Sequence, residues 1–269
     1  EALERCFELS GEAGIASFLP MRDTDVLIAR TDKSKLIDEF YRVNLKTGNE
    51  KLVYRETQSE NALYWSARDG QLLAKAKIRS TGNATYDFEI WLNEPSGSSF
   101  ERHDALTVET TDRRTMDIVG HDEQTGQFYV VTDKFSDKTA LYFYDPKSKT
   151  FSNEPLFAHP DFNVADIRLD DRPDTFNQLI AVIYLGAEVN TFFVDPDFRA
   201  IHDGLQAAFP DMQITLADYT PDLSKILFSV SSSTTPPKYF LLKDKQITVP
   251  MGEERPWFDA SALRETELV

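Results

Sequence analysis

The sequence predicts an all-β fold: a β-propeller of about five four-stranded antiparallel blades, with one short helix in the fourth blade. Three observations carry this expectation. Short apolar runs, rich in β-branched and aromatic residues and bounded by Asp, Asn, Gly, Ser or Pro, recur along the whole chain, as strands do. Five of these runs end in Asn or Asp and pass into a polar turn, at Asn44, Asn93, Asp145, Asp195 and Asp244. The spacings between these anchors are 49, 52, 50 and 49 residues, inside the period of four-stranded propeller blades.

The elements follow in order. Blade one is expected to take strands near 15–19, 25–30, 37–44 and 49–55. Blade two takes 62–67, 71–79, 85–92 and 99–108, and blade three 115–120, 127–132, 139–145 and 150–157. Blade four takes 163–169, 178–185 and 189–195, after which a helix stands in for an outer strand. That helix runs from Asp197 to Phe209, with Phe198, Ile201, Leu205 and Ala208 at helical spacing, and stops before Pro210. Blade five takes 213–218, 225–231, 238–243 and 246–249, and a second short helix is expected over Ala260 to Thr266. The second strand of each unit is strongly apolar, so burial on both faces is expected. A single four-stranded sheet cannot cover both faces alone, whereas stacked neighbours can. Residues 1–14 read as a connector or the remnant of a preceding blade, 15–251 as blades, and 252–269 as a hinge segment.

Composition narrows the function classes. The chain has 269 residues, and its 11 Gly and 13 Pro are scattered, so no flexible linker divides it. There are 45 acidic and 29 basic residues, a net charge of −16. No general cationic field exists to attract a phosphate backbone, so nucleic acid is not an expected partner. The longest apolar run, Leu179 to Leu185, is far shorter than the ~20 residues of a membrane-spanning helix. The single cysteine, Cys6, allows no internal disulfide and leaves bacterial periplasm and cytoplasm equally open. The chain begins at Glu1 and reads as a piece of something longer.

Local catalytic motifs are missing. No two of His103, His121, His159 and His202 lie within five residues of each other, so no local zinc motif forms. No Gly-x-Ser-x-Gly occurs. Ser231–Ser233 lead into Thr234-Thr235-Pro236-Pro237 and read as a loop. Asp170, Asp171 and Asp174, like Asp195 and Asp197, stand beside prolines and read as turn chemistry rather than a calcium site. Arg113-Arg114 reads as a solvated loop, and no Walker loop or dinucleotide fingerprint occurs. No catalytic, cofactor or metal residue is assigned. Arg255, Pro256, Trp257, Phe258 and Asp259 stand apart, after the last repeat. They read either as a tail packed on the rim or as an ordered hinge into a following domain.

The Asp69-Gly70 type of turn, the Leu141–Asp145 strand (Leu-Tyr-x-x-Asp), Leu156–Pro160 and the closing Glu254–Ala260 segment resemble the prolyl oligopeptidase family of serine peptidases. The likeness is to bacterial acylaminoacyl-peptidase or dipeptidyl-aminopeptidase-like members. It implies a propeller of seven or eight blades ahead of an α/β-hydrolase domain that carries the catalytic Ser, Asp and His. On that resemblance leading blades lie before Glu1, the hydrolase domain begins after about Val269, and no catalytic residue falls in this chain. The propeller then gates access of short peptides. Leu223 departs from the pattern by standing where a turn glycine is usual, so that turn is expected to differ from the one at Asp69-Gly70. Two other readings are a free-standing TolB-like propeller that binds a protein, and a five-bladed glycoside hydrolase using inner-strand acids such as Asp117 and Asp166. Five blades in an open arc would favour self-association.

Overall fold

The computed structural model describes residues 12–82, 84–93, 99–186 and 188–265. Blade one contains β1 (Ala13–Ser17), β2 (Asp25–Asp32), β3 (Ile37–Asn44) and β4 (Glu50–Arg55). Blade two contains β5 (Glu60–Trp65), β6 (Leu72–Gly82), β7 (Thr85–Asn93), β8 (Phe100–Arg102) and β9 (Val108–Glu109). Blade three contains β10 (Met116–Asp122), β11 (Gln127–Thr132), β12 (Ala140–Asp145) and β13 (Thr150–Phe151). Blade four has β14 (Asn163–Leu169), β15 (Leu179–Leu185) and β16 (Val189–Phe193), followed by α1 (Pro196–Ala208). Blade five has β17 (Gln213–Tyr219), β18 (Lys225–Ser232), β19 (Thr235–Lys243), β20 (Gln246–Ile247) and β21 (Gly252–Glu253). Each sheet pairs its strands in chain order, with β9 added on β7 and β21 on β19. The chain is thus a succession of five antiparallel propeller blades, and it divides after Asp166 into two compact units.

The anchor residues explain the recurrence physically. Asn44 Oδ1 accepts the N–H groups of Lys46 (3.1 Å) and Thr47 (3.0 Å), and the turn closes with Gly48 N–H on the Asn44 carbonyl (2.8 Å). Asp145 does the same in blade three, accepting Lys147 N–H at 2.8 Å, and Lys149 N–H closes on its carbonyl at 2.8 Å. These are side-chain-capped turns, in which a short polar side chain replaces a backbone acceptor. Asp195 makes the same pair of bonds, to Asp197 (2.9 Å) and Phe198 (3.0 Å), but there they start α1. Pro196 follows at the first helical position, where its missing N–H costs nothing. Asp244 works differently. It and Lys245 both have positive φ (49° and 64°) and form a two-residue hairpin between β19 and β20. The turn after Asn93 lies outside the described residues.

Three expected edges differ. The outer strand of blade two breaks after Arg102 into a 3-10 turn, Asp104–Leu106, which carries Leu106 into full burial before β9 begins. The outer strand of blade three shrinks to Thr150–Phe151, beyond which Ser152 Oγ takes the Phe143 N–H (3.3 Å) in place of a main-chain carbonyl, and pairing resumes only as a bridge from Leu141 to Phe157. The third strand of blade five starts at Thr235 and includes Pro236 and Pro237, beside a register shift between Val230 and Ser232 that asks nothing of their nitrogens. Over Ala260–Ala262 the chain makes one 3-10 turn; Thr266 lies outside the described residues.

The core lies between sheets. Within the first unit, Leu19, Leu27 and Phe40 pack with Trp65, while Ala74, Ala76, Ile90 and Leu92 of blade two meet Phe128, Val130 and Tyr144 of blade three. Within the second, Phe198 and Leu205 of α1 pack on Ile180, Ile214, Ile226 and Phe228. Burial on both faces of the second strand holds for β2, β11 and β15, where three or more consecutive residues are buried. It fails for β6 and β18, where burial alternates. The Leu223 turn also differs as expected. Gly70 (φ 67°) donates to the Ser66 carbonyl, whereas Leu223 (φ 54°) donates to Thr220, one residue earlier within a loop of equal length. Left-handed backbone is unfavourable for leucine, and here the side chain recovers part of that cost by packing on the second unit's core.

Candidate functional site

The segment after blade five is anchored before it turns. Met251 N–H donates to the Tyr239 carbonyl (2.8 Å) and Glu254 N–H to the Pro237 carbonyl (3.0 Å), so sheet pairing runs through Gly252–Glu253, into the stretch expected to be hinge. Phe258 N–H then donates back to the Arg255 carbonyl (3.0 Å). Asp259 accepts the Ser261 N–H at 3.0 Å, and the hydrogen bonds from Ser261 hold its carboxyl below the ordinary range. Arg255, Phe258 and Leu263 border an open groove of about 300 Å³ against Ser231–Ser233 and Pro236-Pro237. Phe258 is 42% exposed and Trp257 is 80% exposed. Phe258 borders this groove, and its neighbour Trp257 stands in solvent. Ser232 Oγ accepts Thr234 N–H (3.2 Å), which is turn capping rather than a nucleophile's setting.

The acid-rich turn of blade four resolves into one buried carboxylate and two exposed ones. Asp170 is 2% exposed. Its oxygens accept Arg172 Nε (3.0 and 2.7 Å), Thr175 Oγ1 (2.5 Å) and Tyr219 Oη (3.2 Å), and Arg172 Nη2 lies at 2.6 Å. Burial pushes the Asp170 pKa up, but the Arg172 and Thr175 bonds outweigh it and the net shift is downward. Tyr219 is pushed up by burial and by the Asp170 charge. This carboxylate has its bonding capacity filled by protein, and it staples blade four to blade five. Among the described residues no group of three or more His, Cys, Asp and Glu is placed to hold a metal ion.

Asp117 on β10 and Asp166 on β14 are both exposed, yet they come within electrostatic reach. Desolvation first, and then the like charge of Asp166, raises the Asp117 pKa. The histidines stay scattered and packed. His103 is buried with Nδ1 2.7 Å from Tyr144 Oη, and burial lowers its pKa. His121 packs on Phe128, His159 Nδ1 accepts two turn N–H groups, and His202 packs on Phe193. Arg113 is exposed at φ 51°, and Arg114 reaches the Lys134 carbonyl (3.3 Å), as a solvated loop does.

One charged feature was not singled out from the sequence. On blade two, Glu60 pairs with Lys75 (2.9 Å) and Lys77 (2.7 Å), and the nearly buried Glu89 pairs with Arg79 (2.8 Å) and Arg102 (3.2 Å). Lys77 lies 4.2 Å from the Trp91 ring centre. The signal is present as alternation: Lys75-x-Lys77-x-Arg79 on one strand faces Asp87-x-Glu89-x-Trp91 on the next.

No family profile and no curated protein matches the chain. Solved structures do match. TolB from Acinetobacter baumannii is 10% identical, with a TM-score of 0.41, over 86% of this chain and 52% of its own. Prolyl oligopeptidase B from Galerina marginata, as the apo protein, is 10% identical with a TM-score of 0.47 over 88% of this chain and 34% of its own. The β-propeller domain of the Trilobed protease from Pyrococcus furiosus is 12% identical with a TM-score of 0.38 over 86% and 67%. The chain spans about half the length of that TolB and about a third of that oligopeptidase. At these identities the likeness is one of fold, and no residue role transfers. Among the described residues no helix is long and apolar enough to cross a membrane.

Proposed function

We propose that the chain is the non-catalytic propeller portion of a prolyl-oligopeptidase-like serine peptidase, of the acylaminoacyl- or dipeptidyl-aminopeptidase-like kind. Arg255–Asp259 is then the hinge into an α/β-hydrolase domain of the same polypeptide. The observation that supports this reading is the exit from blade five. The backbone there is tied down at Glu254, Phe258 and Asp259, while Trp257 stands 80% exposed between them. An ordered, exposed indole is an unmet apolar contact, and covering it with a docked domain stabilises the pair by about 3 kcal/mol. In that role the propeller acts sterically: a folded protein cannot reach a nucleophile enclosed between two domains, whereas a short peptide can. The net charge of −16 favours cationic peptides at low salt.

The test is to express the longer gene product and assay it with chromogenic short peptides and a fluorophosphonate probe. Peptidase activity is expected, with the label outside residues 1–269. Label within these residues, or a stop codon directly after Val269, overturns the reading. The stop codon favours the free-standing TolB-like scaffold instead.

A further inference from the structure

We propose that an open cavity of about 470 Å³, formed by the neighbouring ends of blades one and two, binds a small aromatic carboxylate. The proposal stands on the cavity's chemistry and is independent of the peptidase reading. In a chain of net charge −16, the charged side chains that border this cavity are three cations, Arg22, Arg42 and Lys51, and one acid, Asp69. Arg22 is engaged by Asp25 at 3.4 Å. The Asp69 carboxylate accepts Gln71 N–H at 3.0 Å. Arg42 and Lys51 have no carboxylate within ion-pair distance among the described residues.

Arg42 is the central group. It is half-buried on β3 and tied at one corner only, by Nη2 to the Asp69 carbonyl at 2.5 Å. Its Nε is closed off from water with no acceptor. The same holds for the Tyr54 hydroxyl, which burial, Glu60 and Glu56 push up to about 12, so that it keeps its proton at neutral pH. Those two atoms are sealed from any ligand; an anion's partners are the part of the Arg42 side chain that lines the cavity and the Lys51 ammonium, which has no counter-charge. A planar guanidinium fork fits a carboxylate in particular. The wall also carries the rings of Tyr54, Phe100 and the half-buried Trp65 among aliphatic and amide side chains, and these rings suit a flat apolar body attached to that carboxylate.

The turn between β5 and β6 meets the same arginine through the Asp69 carbonyl. Gly70 has φ 67°, and a Cβ there would lie 3.8 Å from Arg42 Nη2 and 3.3 Å from the Leu19 methyls. The tight approach is to Leu19; the guanidinium lies at ordinary contact distance and is oriented by the Asp69 carbonyl.

The experiment is calorimetric titration of the purified chain with phenylacetate, with phenylacetamide as the uncharged partner. Saturable binding of phenylacetate is expected, at least about tenfold weaker for the amide and weakened by salt. Lys51 is exposed, so Lys51→Glu leaves the fold intact and is expected to weaken binding about tenfold, while Lys33→Glu, on an exposed turn elsewhere, leaves it unchanged. Arg42→Gln is expected to abolish binding. If that variant fails to fold, the acid-against-amide comparison and Lys51→Glu decide. Equal binding of acid and amide, equal effects of the two lysine changes, or no saturable binding overturns the proposal.

Discussion

In β11 five consecutive residues, Phe128 to Thr132, are buried, whereas in β6 burial alternates and Lys75, Lys77 and Arg79 take the opposite face. Both are second strands of adjacent blades in one compact unit. Blade three covers its second strand with carbon on both sides. Blade two does so only on the side facing blade three, and on the other it places an ion-pair ladder capped by the Trp91 and Phe100 rings. The difference teaches that blade stacking demands a satisfied face rather than an apolar one. Charges serve if each is paired and partly desolvated together with its partner.

The largest expected break is on the shared apolar side. Phe128→Ala removes a ring touched by both blades and is expected to cost about 3–5 kcal/mol in denaturant unfolding. On the charged side, Glu89→Ala leaves Arg79 with Asp87 alone and Arg102 with the exposed Asp104 alone, and is expected to cost about 1–2 kcal/mol. Lys77→Met, which leaves Glu60 paired with Lys75, should cost less than about 1 kcal/mol. A larger loss for Lys77→Met than for Glu89→Ala would mean the ladder works through Lys77 instead.

Acid acts on both blades in the same direction. Burial lowers the pKa of His103 and of His121, so below pH 6.5 the unfolded chain takes up protons that the folded chain refuses. Stability is therefore expected to be fully present above that pH and to fall as pH drops from about 7 to 5. His121→Phe should flatten the slope, read as the denaturation midpoint against pH. A slope unchanged by that substitution would remove His121 from the explanation.

The smallest effects lie in the turns. Gly126 in blade three (φ 74°) has open space where a Cβ would go, so Gly126→Ala is expected to cost only the backbone term, about 1 kcal/mol. Gly70→Ala in blade two adds a 3.3 Å approach to Leu19 and should cost more. Equal thermal shifts for the two would show that the Leu19 side chain yields freely.

The sequence made the meanders legible because their period is set by local chemistry. Asn44, Asp145 and Asp195 cap by side-chain bonds to the second and third residues beyond, and such bonds leave a recurring letter. The strand edges were less legible where a tertiary demand prevailed, as at Leu106, pulled into the core, and Pro236-Pro237, held beside a register shift. The Arg255–Asp259 segment was visible as a break in the pattern, but not that Phe258 borders a groove while Trp257 stands in solvent. The cavity at Arg42 was hidden altogether. Its walls come from six strands and two turns spread from Arg22 to Phe100, and a missing counter-charge leaves no motif.

Trp257 has an optical consequence. The chain has three tryptophans; Trp65 and Trp91 are half-buried, and Trp257 is 80% exposed. Iodide in solution reaches the third far more readily than the other two. Collisional quenching therefore divides the emission into a shielded part and an open part, and the open part reads directly whether anything rests on the end of blade five.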